Sequence, residues 1–156
     1  MLGKLTRWLR MLGHDVEYSP YMDDRVLIAE AKEKGAILLT RDVELYKNAT
    51  AKGLDTFFLN EKLEEEQLAE LADRFGIDLK IDMTTSRCPK CNTPVKPARK
   101  EEIADKVEKD TLEYYNEFWR CPNCGQVYWQ GAHWTRIRKT LENAKQKMNK
   151  NNRKEK

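Results

Sequence analysis

Gly35-Ala-Ile-Leu-Leu-Thr-Arg-Asp42 decides how the first half of this chain is read. A continuous apolar run from Ala36 to Thr40, entered from a glycine and left through a charged pair, is the pattern of a strand buried on both faces. The preceding Asp24-Arg-Val-Leu-Ile-Ala-Glu-Ala31 predicts a helix with Asp23 or Asp24 as its N-cap and Gly35 as its stop. Downstream, a helix is expected through Leu45 and Tyr46 to Gly53, then a strand over 54–60 with Phe57, Phe58 and Leu59. An acidic helix marked by Leu63, Leu68, Leu71 and Phe75 follows. Upstream, Leu2, Leu5, Leu9 and Leu12 recur at helical spacing, Gly13 ends that helix, and His14–Tyr18 reads as a short strand. Helices alternate with strands, so the fold class is α/β, a parallel sheet with helices on both faces.

The second half is built differently. All four cysteines fall in two matched knuckles, Cys88-Pro-Lys-Cys91 and Cys121-Pro-Asn-Cys124. A C-x₂-C turn puts two thiolates on one side of a hairpin, and two such hairpins complete the tetrahedral S₄ set of a closed structural Zn²⁺ site. Paired spacing of this kind, in a chain without a signal peptide or apolar spanning run, favours metal over disulfides, an expectation of a reducing, cytoplasmic setting without membrane partners. Residues 100–113 between the knuckles are mostly charged and read as a helix or long loop.

The net charge of +3 hides a division. Residues 1–86 carry 12 basic and 17 acidic side chains, whereas residues 87–156 carry 17 basic and 9 acidic. A basic half joined to an acidic half suggests a polyanion held by one part and processed beside the other. Asp42 stands at the carboxyl end of the buried strand, where α/β sheets collect ligands, and Asp24 starts the helix leading into that strand. With Asp23 as neighbour, these carboxylates are candidates to hold Mg²⁺ or Mn²⁺ for phosphodiester hydrolysis; the plain alternative is that they are N-caps.

Several stretches together carry a family resemblance: Asp24–Ala31, Leu38-Leu-Thr-Arg-Asp42, Met1-Leu-Gly-Lys-Leu-Thr-Arg-Trp-Leu-Arg10, Leu12-Gly13, Arg87-Cys-Pro-Lys-Cys-Asn92, and Cys121-Pro-Asn-Cys124 with Tyr128-Trp-Gln-Gly-Ala-His133. The chain resembles the Mut-seven C-terminal RNase family, a PIN-like ribonuclease domain followed by a zinc ribbon. The resemblance implies a PIN-like domain over 1–82 and a zinc ribbon over 83–137; residues 138–156, dominated by Lys and Asn, read from composition as a basic tail, helical at first and fraying into disorder. The resemblance also implies a metal-dependent ribonuclease, with a small-subunit rRNA maturation endonuclease as the architectural analogue and ribosomal RNA or a ribosomal subunit as partner. In such domains a central strand ending in aspartate precedes the first helix, and here the sequence begins at that helix's methionine. Three explanations fit: a start codon placed too late, a trimmed chain, or a protein that dispenses with the strand. Met1, standing where an internal methionine is expected, favours the first. An RNA- or ribosome-binding zinc protein without nuclease activity is the alternative.

Lys4, Arg7 and Arg10 spread over about a third of the first helix's circumference and are candidate phosphate contacts or a solvated face. Arg41 beside Asp42 reads as a phosphate contact or a partner for nearby acids. Seven of the 14 aromatics lie in residues 114–134. Some must pack the metal module, and His133 and Trp134, flanked by Arg136 and Arg138, are the leading candidates for stacking on and gripping single-stranded RNA.

Overall fold

The computed structural model describes residues 2–154, with side chains through residue 148. The expected fraying at the extreme C-terminus, like Met1, lies outside the described residues. The first half contains α1 (Gly3–Met11), α2 (Asp24–Lys34), β1 (Leu38–Thr40), α3 (Val43–Ala51), β2 (Thr56–Phe58) and α4 (Glu64–Phe75). Strands β1 and β2 pair in parallel, with Leu39 opposite Phe57 and Thr40 opposite Phe58. Side chains alternate across the pleat, so successive residues of β1 serve different cores. Leu38 joins Ile28 and Ala31 of α2 and Leu45 and Ala49 of α3. Leu39 and Phe57 instead pack on Leu5 and Leu9 of α1 and on Leu68 and Leu71 of α4. The sheet is thus short, parallel and covered by helices on both faces, the α/β class expected.

His14–Tyr18 is not a strand. Its apolar alternation is too brief to outweigh the partners its backbone finds. The Val16 N–H donates to Asn92 Oδ1 at 3.1 Å, and the Val16 carbonyl accepts from Arg10 Nε at 2.9 Å. Side chains therefore satisfy the groups a ladder would have used.

The second half holds a three-stranded antiparallel sheet, β3 (Lys96–Ala98), β4 (Phe118–Arg120) and β5 (Val127–Tyr128), with β4 central. Trp119 turns to one face and packs with Cys88, Val95 and Cys121. Phe118 turns to the other and packs with Ile103, Val107 and Val127. The charged stretch between the knuckles forms two short helices, α5 (Lys100–Ile103) and α6 (Lys109–Tyr114), which carry the apolar cover for that second face.

Helix α7 (Trp134–Lys154) begins just after the sheet and runs across the boundary expected at 137/138. Its residues Ile137, Leu141, Ala144 and Met148 return to the first half and pack in the core of α1 and α4. Asn143 bonds Glu65 at 3.1 Å, and Lys147 pairs with Glu65 and Glu66 at 3.7 and 3.4 Å. The basic segment folds as a helix here because acidic α4 offers it both an apolar seam and counter-charge. Among the described residues no helix is long and apolar enough to cross a membrane.

Candidate functional site

The four cysteines converge. Their sulfurs all lie within 4.8 Å of one another, with Cys91–Cys121 at 3.3 Å and Cys88–Cys124 at 3.7 Å. The edge of an S₄ tetrahedron around zinc is about 3.8 Å, from Zn–S bonds of about 2.3 Å. The spacing therefore suits a metal such as zinc. The two knuckles are built alike: Asn92 N–H returns to the Cys88 carbonyl and Gly125 N–H to the Cys121 carbonyl, at 2.8 and 2.9 Å. The residue after each second cysteine is left-handed, Asn92 at φ 75° and Gly125 at φ 79°, which explains an asparagine and a glycine at these positions. Hydrogen bonds from the Thr93 hydroxyl and backbone pull the Cys91 pKa down to about 5, whereas at Cys124 a lowering backbone hydrogen bond from Gln126 is outweighed by burial and the neighbouring sulfurs, which push it up to about 11. The Tyr128 hydroxyl lies 3.0 Å from Cys88 Sγ, and burial followed by that contact pushes its pKa up. Among the described residues these cysteines are the sole group of three or more Cys, His, Asp or Glu side chains placed to share an ion.

The acidic edge is looser. Asp42 caps α3, its Oδ1 accepting from the N–H groups of Glu44 and Leu45 at 2.9 and 3.2 Å, at the carboxyl end of β1. Asp23 caps α2 through the Arg25 N–H at 3.0 Å, and Asp24 opens that helix, exposed. Among the described residues, Asp23, Asp24 and Asp42 do not come together as a group of three placed to share an ion. Sequence reasoning missed the acids at the end of β2. Glu70 accepts from Asn60 N–H and Nδ2 at 3.2 and 3.3 Å, and Glu61 is hydrogen-bonded to Glu66, which raises the Glu61 pKa. A signal existed: Glu61 follows β2 much as Asp42 follows β1, and Glu66 and Glu70 share one face of α4.

The candidate RNA contacts separate into groups. Arg10 is buried, donating to the carbonyls of Val16 and Pro89 at 2.9 and 3.0 Å and reaching that of Lys90 at 3.5 Å. These bonds staple α1 to the first knuckle. Arg41 donates to the carbonyls of Leu59 and Glu61 and so ties β1 to the end of β2. Lys4 pairs with Glu64 at 3.6 Å on the surface, and Arg7 is exposed. At the start of α7, His133, Arg136 and Arg138 are exposed, while Trp134 is half-buried with its indole N–H on the Trp129 carbonyl at 3.1 Å.

A family model described as the Mut7-C RNAse domain matches residues 1–141, spanning the parallel sheet, both knuckles and the start of α7. The chain belongs to the Mut7-C RNase domain family. This membership brings a ribonuclease-type function and RNA as the substrate class. No curated protein and no solved structure matches the chain significantly. The family match covers both halves of the chain in one stretch.

Proposed function

We propose that this Mut7-C domain is a metal-dependent ribonuclease acting on structured or ribosomal RNA in the cytoplasm, with the cysteine module as a zinc-stabilised RNA grip. The family match over residues 1–141 carries the reading. Asp24 and Asp42, with Asp23 beside them, hold Mg²⁺ or Mn²⁺ at the carboxyl edge of the PIN-like sheet. The caps engage Oδ1 of Asp42 and Asp23, so each carboxylate keeps an oxygen for a cation. Such an ion supplies an activated water and neutralises charge building on the phosphodiester. The Glu44 and Leu45 amides at the start of α3 orient the Asp42 carboxylate. Lys4 and Arg7, with Arg136, Arg138, His133 and Trp134, supply the polyanion surface; Arg10 and Arg41 act on the backbone instead.

The test uses the zinc-loaded chain with labelled RNA and added Mn²⁺ or Mg²⁺, compared with Asp42→Asn. Asparagine caps a helix about as well as aspartate, so the variant removes charge without removing the cap. Cleavage should fall at least 100-fold. Cleavage persisting in Asp42→Asn would sink the two-carboxylate mechanism. One observation favours a second reading, RNA binding without cleavage: Asp23 and Asp42 are both helix caps and are not gathered with a third acid. Salt-sensitive RNA binding with no metal-dependent cleavage would establish it.

A further inference from the structure

A cleft of about 330 Å³ opens where the two halves meet. Met11 of α1 and Ile81 and Met83 of the connecting segment form one side. Tyr128 and Trp129 of the β5 region form another, and His133, Trp134 and Ile137 at the start of α7 close the third. Its volume lies in the range of roughly 300–1,000 Å³ typical of small-ligand sites. The lining is aromatic and thioether-rich, with a few polar groups, among them Arg87, Gln126 and His133.

We propose that this cleft is a nucleobase pocket that takes one unstacked base from single-stranded RNA. It rests on the ribonuclease reading only in taking RNA as the ligand. A planar π-faced guest suits walls of Tyr128, Trp129 and Trp134, and every base offers such a face. The polar groups at the perimeter are what a base edge needs: the Arg87 guanidinium and His133 ring can donate, and the Gln126 amide can donate or accept. Charge selects the same guest. Arg87 lines the cleft, and Arg136 and Arg138 project from the helix whose His133, Trp134 and Ile137 line it, so phosphates flanking a captured base meet cations. A neighbouring cleft of about 570 Å³ shares Ile81 and Met83 but is lined by three carboxylates, Asp78, Asp82 and Glu117, against one cation, Lys80. The acidic excess there disfavours a polyanion, in contrast to the pocket lined by Arg87.

The walls are fixed by groups outside the cleft. Trp129 packs over Gly131, whose missing Cβ would meet the indole Nε1 at 2.9 Å, and its ring lies 6.2 Å from that of Phe118. The Trp134 N–H is held by the Trp129 carbonyl, and the Tyr128 hydroxyl reaches the Cys88 sulfur. Two indoles and a phenol are thereby set in place before any ligand arrives, which lowers the ordering cost of binding.

The test titrates the zinc-loaded full chain, without added Mg²⁺ or Mn²⁺, with a fluorescein-labelled uridine hexamer and with an abasic ribose–phosphate hexamer of equal charge. Both are measured at one salt concentration. The uridine strand should bind about tenfold more tightly. Trp134→Leu, with one bound metal per chain and unchanged circular dichroism as proof of folding, should lose that tenfold for the uridine strand and nearly nothing for the abasic one. This non-additivity places the base on Trp134. Equal affinity of the two strands for the wild-type chain overturns the pocket, as does an equal loss for both in Trp134→Leu. An apolar peptide that competes at the cleft while the uridine strand does not would overturn it in favour of a protein partner. Since no cleavage is needed, a failed nuclease assay leaves this result standing, and a failed titration leaves the nuclease assay standing.

Discussion

Replacing Arg10 separates a staple from an RNA contact. The side chain is 9% exposed, and its guanidinium makes two well-placed hydrogen bonds to the Val16 and Pro89 carbonyls and a longer one to Lys90. Hydrogen bonds involving a charged group contribute about 1.5–3 kcal/mol each, and truncation also takes this donor from the half-buried Val16 and Pro89 carbonyls. Allowing for relaxation and water entry, Arg10→Ala should destabilise the fold by about 3–5 kcal/mol. At a urea slope of about 2 kcal/mol/M, mid-range for small proteins, the unfolding midpoint should drop by roughly 1.5–2.5 M, followed in zinc-loaded protein by circular dichroism. Arg10→Lys should recover less than half, since an ammonium lacks the fork that serves several carbonyls at once. Arg7→Ala, three residues away and exposed, should change stability by no more than about 0.5 kcal/mol and act on RNA affinity instead. A midpoint for Arg10→Ala within 0.3 M of wild type, with a reduced salt slope of RNA binding, would refute the staple and restore the phosphate contact.

Metal content should be one ion per chain, and stripping it, or Cys121→Ser, should unfold the three-stranded sheet, because structural zinc contributes on the order of 10 kcal/mol to such modules; a native near-ultraviolet spectrum without metal would contradict this. Gly13→Ala should cost about 2 kcal/mol or more, since Gly13 sits at φ +98° with the Thr85 carbonyl and hydroxyl 3.1 Å from a new Cβ, whereas Gly35→Ala, equally left-handed but in open space, should cost about 1 kcal/mol. Equal midpoints for the two would remove Thr85 from the explanation. Ala144→Arg should lower stability by more than about 3 kcal/mol by forcing a charge into the fully buried seam between α7 and α4; a midpoint near wild type would show that α7 does not dock there. Burial lowers the pKa of His14 below its ordinary 6.5. The unfolded chain then binds the proton more readily, so the His14 contribution is intact above about pH 6.5 and is lost as pH falls toward the lower folded value. His14→Gln should show a shallower loss of stability between pH 7 and 5 than wild type, and identical profiles would refute it.

The parallel sheet was legible because its signals are local. An apolar pentapeptide between a glycine and a charged pair, with capped helices on either side, needs no distant partner to be recognised. The knuckles were legible for the same reason: metal geometry is written into C-x₂-C spacing. What escaped was the long-range pairing. His14–Tyr18 alternates like a strand, yet its backbone is satisfied by Asn92 and Arg10 from outside the segment. Arg10 stands three residues from Arg7 and looked equivalent to it, but besides the Val16 carbonyl its acceptors come from a knuckle 79 residues away. Glu61, Glu66 and Glu70 become neighbours when α4 folds back beside β2. The cleft draws Met11, Met83 and Trp134 from three separate segments, so no sequence window contains it.

Two helices give those distant pairings a common consequence. The middle of α1 touches α4 through the Trp8 indole on Glu64 at 2.6 Å, while its end, through Arg10 and Met11, touches the first knuckle and the cleft. Helix α7 begins at the cleft wall and ends against α4, beside the acids that follow β2. Both helices therefore bridge the place proposed to hold a base and the half that carries the carboxylates. Helices are stiff over these lengths, so the separation of the two places is set by packing rather than by a linker. A lesion at Arg10 or Ala144 contacts neither RNA nor metal in this reading, yet it should degrade cleavage of long RNA more than capture of a short strand. Loss of an exposed cation such as Arg136 should weaken both alike, because it removes attraction and leaves the geometry intact.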